Sequence, residues 1–251
     1  MKNAKYLVLL PFLLLTSCGA EQISEEQAAP IVERIKNEEI GINTHSFDYN
    51  LEYRYFEGKG DDRLSVSASC RYKRDFEKGN MYYYQKGYLS TTKSSDDWCK
   101  IFVADDEQHG KVTYVEYDVG GEEGTYAAYG EGASIPSAVQ LISAIGIAYA
   151  SNMYRAAKDI ESLVSDCDNV RYYSNDEEHL KVVMKYEKDK TSEENEETKK
   201  IENVIEFNNC LLTLYSSIQT TTFDNINSLI ITISYSNVSI NLPSNWKNAL
   251  E

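Results

Sequence analysis

Histidine is scarce in this chain of 251 residues: there are three, His45, His109 and His179, widely separated. They form no HExxH pair and no metal-ligand spacing, which removes the histidine-based metal hydrolases from consideration. No GxSxG elbow, Walker loop or dinucleotide fingerprint occurs. Gly120-Gly121-Glu122-Glu123-Gly124 is glycine-rich, but its two acids would repel a phosphate, so it reads as a turn. Basic residues are also few, 25 Lys plus Arg against 40 Asp plus Glu, for a formal net charge of −15. Nucleic-acid affinity comes largely from cations that neutralise phosphates, and docking on anionic lipid needs the same cations. Neither partner is expected. Asp61-Asp62 and Asp105-Asp106-Glu107 lack the loop spacing of a known calcium site. No metal, no cofactor and no catalytic residue is expected, and the chain does not read as an enzyme.

Long apolar runs are missing too. Tyr6 to Leu15 is apolar over about ten residues, about half of what a bilayer-spanning helix needs. Gly132 to Tyr154 carries no charge over 23 residues. Ser134, Ser137, Gln140, Ser143, Ser151 and Asn152 dilute it, and Gly146 interrupts it. A buried helix, or two short ones broken near Gly146, fits this stretch, with Pro136 suited to a first-turn position. The charged continuation Arg155 to Ser165 ends this helical section.

What is present begins with an address. Lys2 and Lys5 form a basic n-region, Tyr6 to Leu15 an apolar h-region, and Leu15-Thr16-Ser17-Cys18 follows. This layout resembles the lipobox signal of bacterial lipoproteins. The resemblance implies removal of residues 1–17, diacylation of the Cys18 sulfur, and a protein held on the extracytoplasmic side of a bacterial cell membrane. The alternative is an ordinary secretory signal cut near Ala20. Each buried methylene contributes about 0.8 kcal/mol and one chain alone holds weakly, so two or three acyl chains would anchor the protein stably. Without residues 1–17 the chain keeps 23 basic and 40 acidic residues, a charge of −17, so the acyl chains must do the holding. Residues 18–23 read as the lipidated N-terminus and a short tether, and residues 24–251 as one domain.

That domain opens on Ser24 with Gln27 three residues on, a capping-box pattern, with Glu25 and Glu26 in the first turn and Ile31, Val32 and Ile35 as an apolar stripe. Pro30 interrupts the helical pattern. The period then changes to two. Phe47, Tyr49, Leu51, Tyr53 and Tyr55 alternate with polar residues, and after a turn at Gly58 to Asp62 so do Leu64, Val66, Ala68, Cys70 and Tyr72, as an antiparallel pair with one wet and one dry face. Strands are expected near Met81–Leu89, Cys99–Val103, Lys111–Tyr117 and Thr125–Tyr129. After the helical section they resume at His179–Glu187, Ile201–Phe207 and Cys210–Thr222, with a turn at Asn208-Asn209. Leu229–Tyr235 and Val238–Leu242 read as a closing hairpin before Pro243. The charged run Lys188 to Lys200 reads as a long exposed hairpin loop.

This order, with its IITISYSNVSINLPSNW ending, is similar to the LolA/LppX-like lipoprotein-carrier superfamily. The resemblance implies an α+β fold: a strongly curved antiparallel sheet, an incomplete barrel, with an N-terminal helix and a central helix pair covering the concave face. It also implies a lipid or other apolar ligand in a cavity between sheet and helices. Tyr49, Leu51, Tyr53, Val66 and Ala68 would wall that cavity, and Val139, Ile142, Ile145, Tyr149 and Met153 would line its lid, Pro136 to Tyr154. Taken one by one, such residues are ordinarily packed core.

A reading of a different class rests on tyrosine, 20 in the chain. Met81-Tyr82-Tyr83-Tyr84 puts rings on both faces of one strand, and a tyrosine-rich sheet face could recognise a protein or glycan. Cys70, Cys99, Cys167 and Cys210 remain after Cys18. Outside the cytoplasm they could form disulfides, Cys70 with Cys99 and Cys167 with Cys210, or stay as buried thiols.

Overall fold

In a computed structural model the chain is described over residues 20–57, 64–87, 96–130, 137–192, 195–221 and 225–250. The signal segment 1–17, Cys18, and the expected turn at Gly58 to Asp62 lie outside these residues. Twelve strands form one antiparallel sheet: β1 Glu21–Ile23, β2 Phe47–Glu57, β3 Leu64–Asp75, β4 Asn80–Gly87, β5 Trp98–Asp106, β6 Gly110–Val119, β7 Glu122–Tyr129, β8 Asn169–Ser174, β9 Leu180–Ser192, β10 Asn195–Asn208, β11 Leu211–Thr221 and β12 Ile226–Ser234. Their order is β1-β8-β9-β10-β11-β12-β2-β3-β4-β5-β6-β7, so the two meanders join where β12 pairs with β2 and the sheet does not close.

Among the described residues three α-helices accompany it, α1 Glu25–Asn37 of 13 residues, α2 Ser137–Lys158 of 22 and α3 Ile160–Val164 of 5. This corrects the expected fold class. The protein is mainly β with an open sheet, not α+β with a helix pair over an incomplete barrel. The central pair is one long helix that runs through Gly146, followed by a single short turn. Among the described residues no helix is long and apolar enough to cross a membrane.

The capping box forms as read: Gln27 N–H donates to Ser24 Oγ (3.2 Å) and Ser24 N–H donates to Gln27 Oε1 (2.9 Å). Pro30 lies inside α1, which buries Ala28, Ile31, Val32 and Ile35. Each of the three larger side chains contributes about 1.5 to 3 kcal/mol by leaving water, enough to hold a helix with an interior proline. Those residues join one continuous core with Ala150, Tyr154 and Ala157 of α2, Ile160 of α3, and the alternate residues of β2 to β6 and β8 to β12.

α2 crosses this inner face from β11 toward β4 and β6. Its hold on β11 is specific. The β10–β11 register shifts at Glu206/Phe207, leaving Thr213 as the extra residue. A bulge interrupts ladder hydrogen bonds. Here Leu212 N–H donates to the Tyr154 hydroxyl (3.2 Å), the Tyr235 hydroxyl donates to the Leu212 carbonyl (3.1 Å), and Thr213 Oγ1 donates to the Glu206 carbonyl (3.1 Å).

Other expectations shift. β1 pairs with Tyr172–Ser174 of β8, so Glu21 to Ile23 belong to the sheet and not to a tether. Of the run Lys188 to Lys200, the described residues 188–192 and 195–200 are ladder, not loop, paired down to Asn195 with Ser192. Two residues at the hairpin tip have positive φ, Asn209 (50°) and Cys210 (59°), one position later than the turn read at Asn208-Asn209. Val238–Leu242 forms no strand, because β11 and β2 already occupy both edges of β12. Ile240 is nonetheless buried, and Leu242 packs against a second apolar cluster, Val112, Tyr114, Ala127 and Trp246, on the sheet's outer face.

Candidate functional site

The inner face is organised in rows that follow the strand register. One row runs Met184, Asn203, Ser217, Leu229, Tyr53 and Ala68 across β9, β10, β11, β12, β2 and β3. On one side lies the row from Val182 through Ile205, Tyr215, Ile231 and Leu51 to Cys70, buried in the core except at half-buried Tyr215. On the other lies the row from Tyr186 through Ile201 and Asn227 to Val66, half-buried throughout. None of these residues carries a charge. Side chains alternate across a strand, so the acids and bases interleaved with these three rows point to the outer face, where Lys185 pairs with Glu202 (2.6 Å) and Lys200 with Glu187 (3.0 Å). The next inner-face row beyond Tyr186 and Ile201 holds the register positions Lys188 and Lys199.

Burial grades along this face. Tyr49 and Leu51 are fully buried, whereas Tyr53, Ser217 and Leu229, one row out, are half-buried. From α2, Tyr149 is 39% exposed and lies within electrostatic reach of Tyr49, Tyr53 and Tyr215. Burial raises the pKa of all four phenols, most at Tyr49, so they stay neutral. The result is an uncharged, tyrosine-rich, half-open lip where the closed core ends.

Two polar atoms on this face are buried without a hydrogen-bond partner, the Tyr49 hydroxyl and Asn203 Oδ1. Asn203 is 8% exposed and stands between Met184 and Ser217, on the same face as Ile205 and Phe207. A buried acceptor left unpaired costs about 1 to 3 kcal/mol.

The expected cavity wall therefore divides. Tyr49 and Leu51 are packed core, and Met153 packs against that core. Tyr53, Val66 and Tyr149 mark the lip, while Ala68, at the β3 end of the Tyr53 row, is buried. Val139, Ile142 and Ile145 lie outside the residues whose side chains are described. Asn203, Ser217, Tyr215 and Leu229 escaped the sequence reading. The signal was there in Ile201-x-Asn203-x-Ile205-x-Phe207, where one amide holds an apolar position.

The outer face answers the tyrosine question. Tyr83 is fully buried on the inner side, and its hydroxyl donates to Gln85 Oε1 (2.6 Å). Tyr82 and Tyr84 are half-buried on the outer side, where Tyr82 meets Phe102 at 4.9 Å and Phe102 meets Tyr114 at 6.1 Å between ring centroids. This row is a cross-strand ladder partly covered by Trp246. A groove of about 540 Å³ nearer the other edge is walled by Lys185, Glu187, Lys200, Glu202, Ile218 and Thr220 on the outer face.

Among the expected polar clusters, Gly120 and Gly121 form the β6–β7 turn with φ of 65° and 83°. Asp106 Oδ1 accepts from the backbone N–H groups of Gln108 and His109 and contacts His109 Nδ1 (2.7 Å), so this carboxylate closes a turn. Asp61-Asp62 lies outside the described residues. All four described cysteines are free. Cys70 and Cys99 each stand opposite Gln85 of the intervening strand. Two strand spacings put them about 9.5 Å apart, beyond the reach of a disulfide. Burial pushes both thiols up to about 12.

Compared with known proteins, the chain matches no family model and no curated protein.

Proposed function

We propose that this chain is a bacterial lipoprotein, anchored outside the cytoplasm through acyl chains on Cys18, whose sheet binds a lipid or other apolar ligand at the half-open lip of its inner face. The observation that carries the binding half is the grading of three uncharged rows of the inner face from closed core at Leu51 to half-open at Tyr53 and Leu229, with Tyr149 of α2 beside them. Open apolar area bounded by a rigid sheet and a helix suits an acyl chain, because its burial needs no polar partner. The anchor rests on the lipobox-like Leu15-Thr16-Ser17-Cys18. With β1 in the sheet, only Cys18 to Ala20 separate the lipid from Glu21, so about 10 Å of chain ties the β1 edge to the bilayer.

An outer-face recognition role is the second reading, favoured by the Tyr82-Phe102-Tyr114 ladder. Leu229→Asp and Tyr82→Ala separate the two. On the first reading, lipid recovered by native mass spectrometry falls with Leu229→Asp and stays with Tyr82→Ala; the reverse pattern contradicts it. Palmitate labelling lost in Cys18→Ala tests the anchor independently.

A further inference from the structure

Within that proposed function, we infer that Asn203 is a head-group acceptor and that the ligand is an uncharged amphiphile with a hydroxyl donor, of the acylglycerol or glycolipid type, rather than an anionic phospholipid or fatty acid. Three observations converge. Asn203 Oδ1 is buried without a partner on the binding face, at the boundary between closed core and half-open lip. An amide oxygen only accepts, so the group that satisfies it must be a donor.

The surrounding rows decide the charge of that donor. From β9 to β3 the row of Asn203 and the rows on both sides of it hold no Lys, Arg, Asp or Glu. A phosphate or carboxylate brought there would be desolvated without a counter-charge, and so would an ammonium. A hydroxyl gives up much less and recovers it in the bond to Oδ1. Ser217, directly opposite Asn203, adds a second neutral group that can donate or accept. The ligand's acyl chain would then lie along Leu229 and Tyr53.

The test uses three probes with one C18 chain: monooleoylglycerol, which has hydroxyl donors; methyl oleate, which has none; and oleate, which is charged. Residues 19–251 hold every strand of the sheet and its core, and serve as the protein. Native mass spectrometry or ligand competition is expected to give monooleoylglycerol about tenfold tighter than methyl oleate, the worth of one hydrogen bond, with oleate weakest at pH 8. Asn203→Leu should erase the preference while raising the thermal midpoint, since an unpaired buried acceptor is replaced by a side chain of similar size. Asn203→Ala, which cannot overpack, should erase it too. Equal binding of the two neutral probes by the wild type, or a preference that survives both substitutions, overturns the head-group assignment while leaving the binding face intact. Failure of all three probes to bind overturns both.

Discussion

Replacing Gly87 by alanine should be far more damaging than replacing Gly79, although both glycines have positive φ. At Gly79 (φ 65°) an added Cβ meets nothing within 4 Å, so the cost is that of a left-handed alanine, about 1 kcal/mol. At Gly87 (φ 80°) it would sit 2.3 Å from the Ser67 carbonyl oxygen and 3.1 Å from Ala68 Cα. Both obstacles are backbone, so no rotamer change relieves them. β3 and β4 must separate at their last pair, Ala68 with Gly87, and the Gly87 N–H bond to the Asp97 carbonyl (2.9 Å) goes with it. Lost hydrogen bonding adds about 1 kcal/mol and the displaced strand end at least as much, for about 3 kcal/mol or more in all. At about 2 to 4 °C per kcal/mol for a chain of this size, Gly79→Ala should lower the midpoint by about 2 to 4 °C and Gly87→Ala by at least about 6 °C, read by circular dichroism. Equal shifts would refute the close approach of β3 and β4 and, with it, the placement of Ala68 at the end of the ligand row.

Three further outcomes follow from contacts elsewhere. Tyr154→Phe leaves Leu212 N–H buried without its acceptor and should cost about 1 to 3 kcal/mol in urea unfolding; an unchanged midpoint would contradict the seating of α2 on the bulge. Burial raises the Asp48 pKa, but the hydrogen bonds (3.0 and 2.6 Å) and charge of Arg71, joined by Lys73 at 3.3 Å, together outweigh it and the net shift is downward. A carboxyl whose folded pKa lies below its unfolded value gives stability that is complete above the unfolded pKa and is lost as pH falls through the folded one. Arg71→Gln should therefore move acid unfolding to higher pH, and an unmoved acid midpoint would count against the pair. Cys70 and Cys99, buried and with thiols near 12, should resist alkylation at pH 8 in the folded protein; unfolding without reductant should release all four described thiols. Fewer than four would mean that a disulfide exists.

The hairpins were legible because alternation is local. Phe47 to Tyr55 and Leu64 to Tyr72 show a period of two within each strand, and the capping box at Ser24 is a four-residue pattern. What failed depended on distant chain. β1 and β8 are too short, three and six residues, to show a period, and exist because they pair with each other and with β9. Val238 to Leu242 alternates like a strand, yet β2 had already taken the free edge of β12, a pairing that no local pattern reveals. Lys188 to Lys200 has the composition of a loop, and the ladder between β9 and β10 overrides it. The site divided for the same reason. Tyr49 and Tyr53 look alike in sequence, and only their different rows in the sheet make one of them core and the other lip.

The binding face itself is tested most directly by photocrosslinking with an uncharged lipid, a monoacylglycerol with a diazirine in its acyl chain, followed by mapping of the labelled peptides. Labels concentrated on peptides that contain Tyr53, Tyr149 and Leu229, and competed away by unlabelled monooleoylglycerol, are the expected result. Labels on the Tyr82-Phe102 ladder of the outer face, or spread without competition over the whole surface, would contradict it.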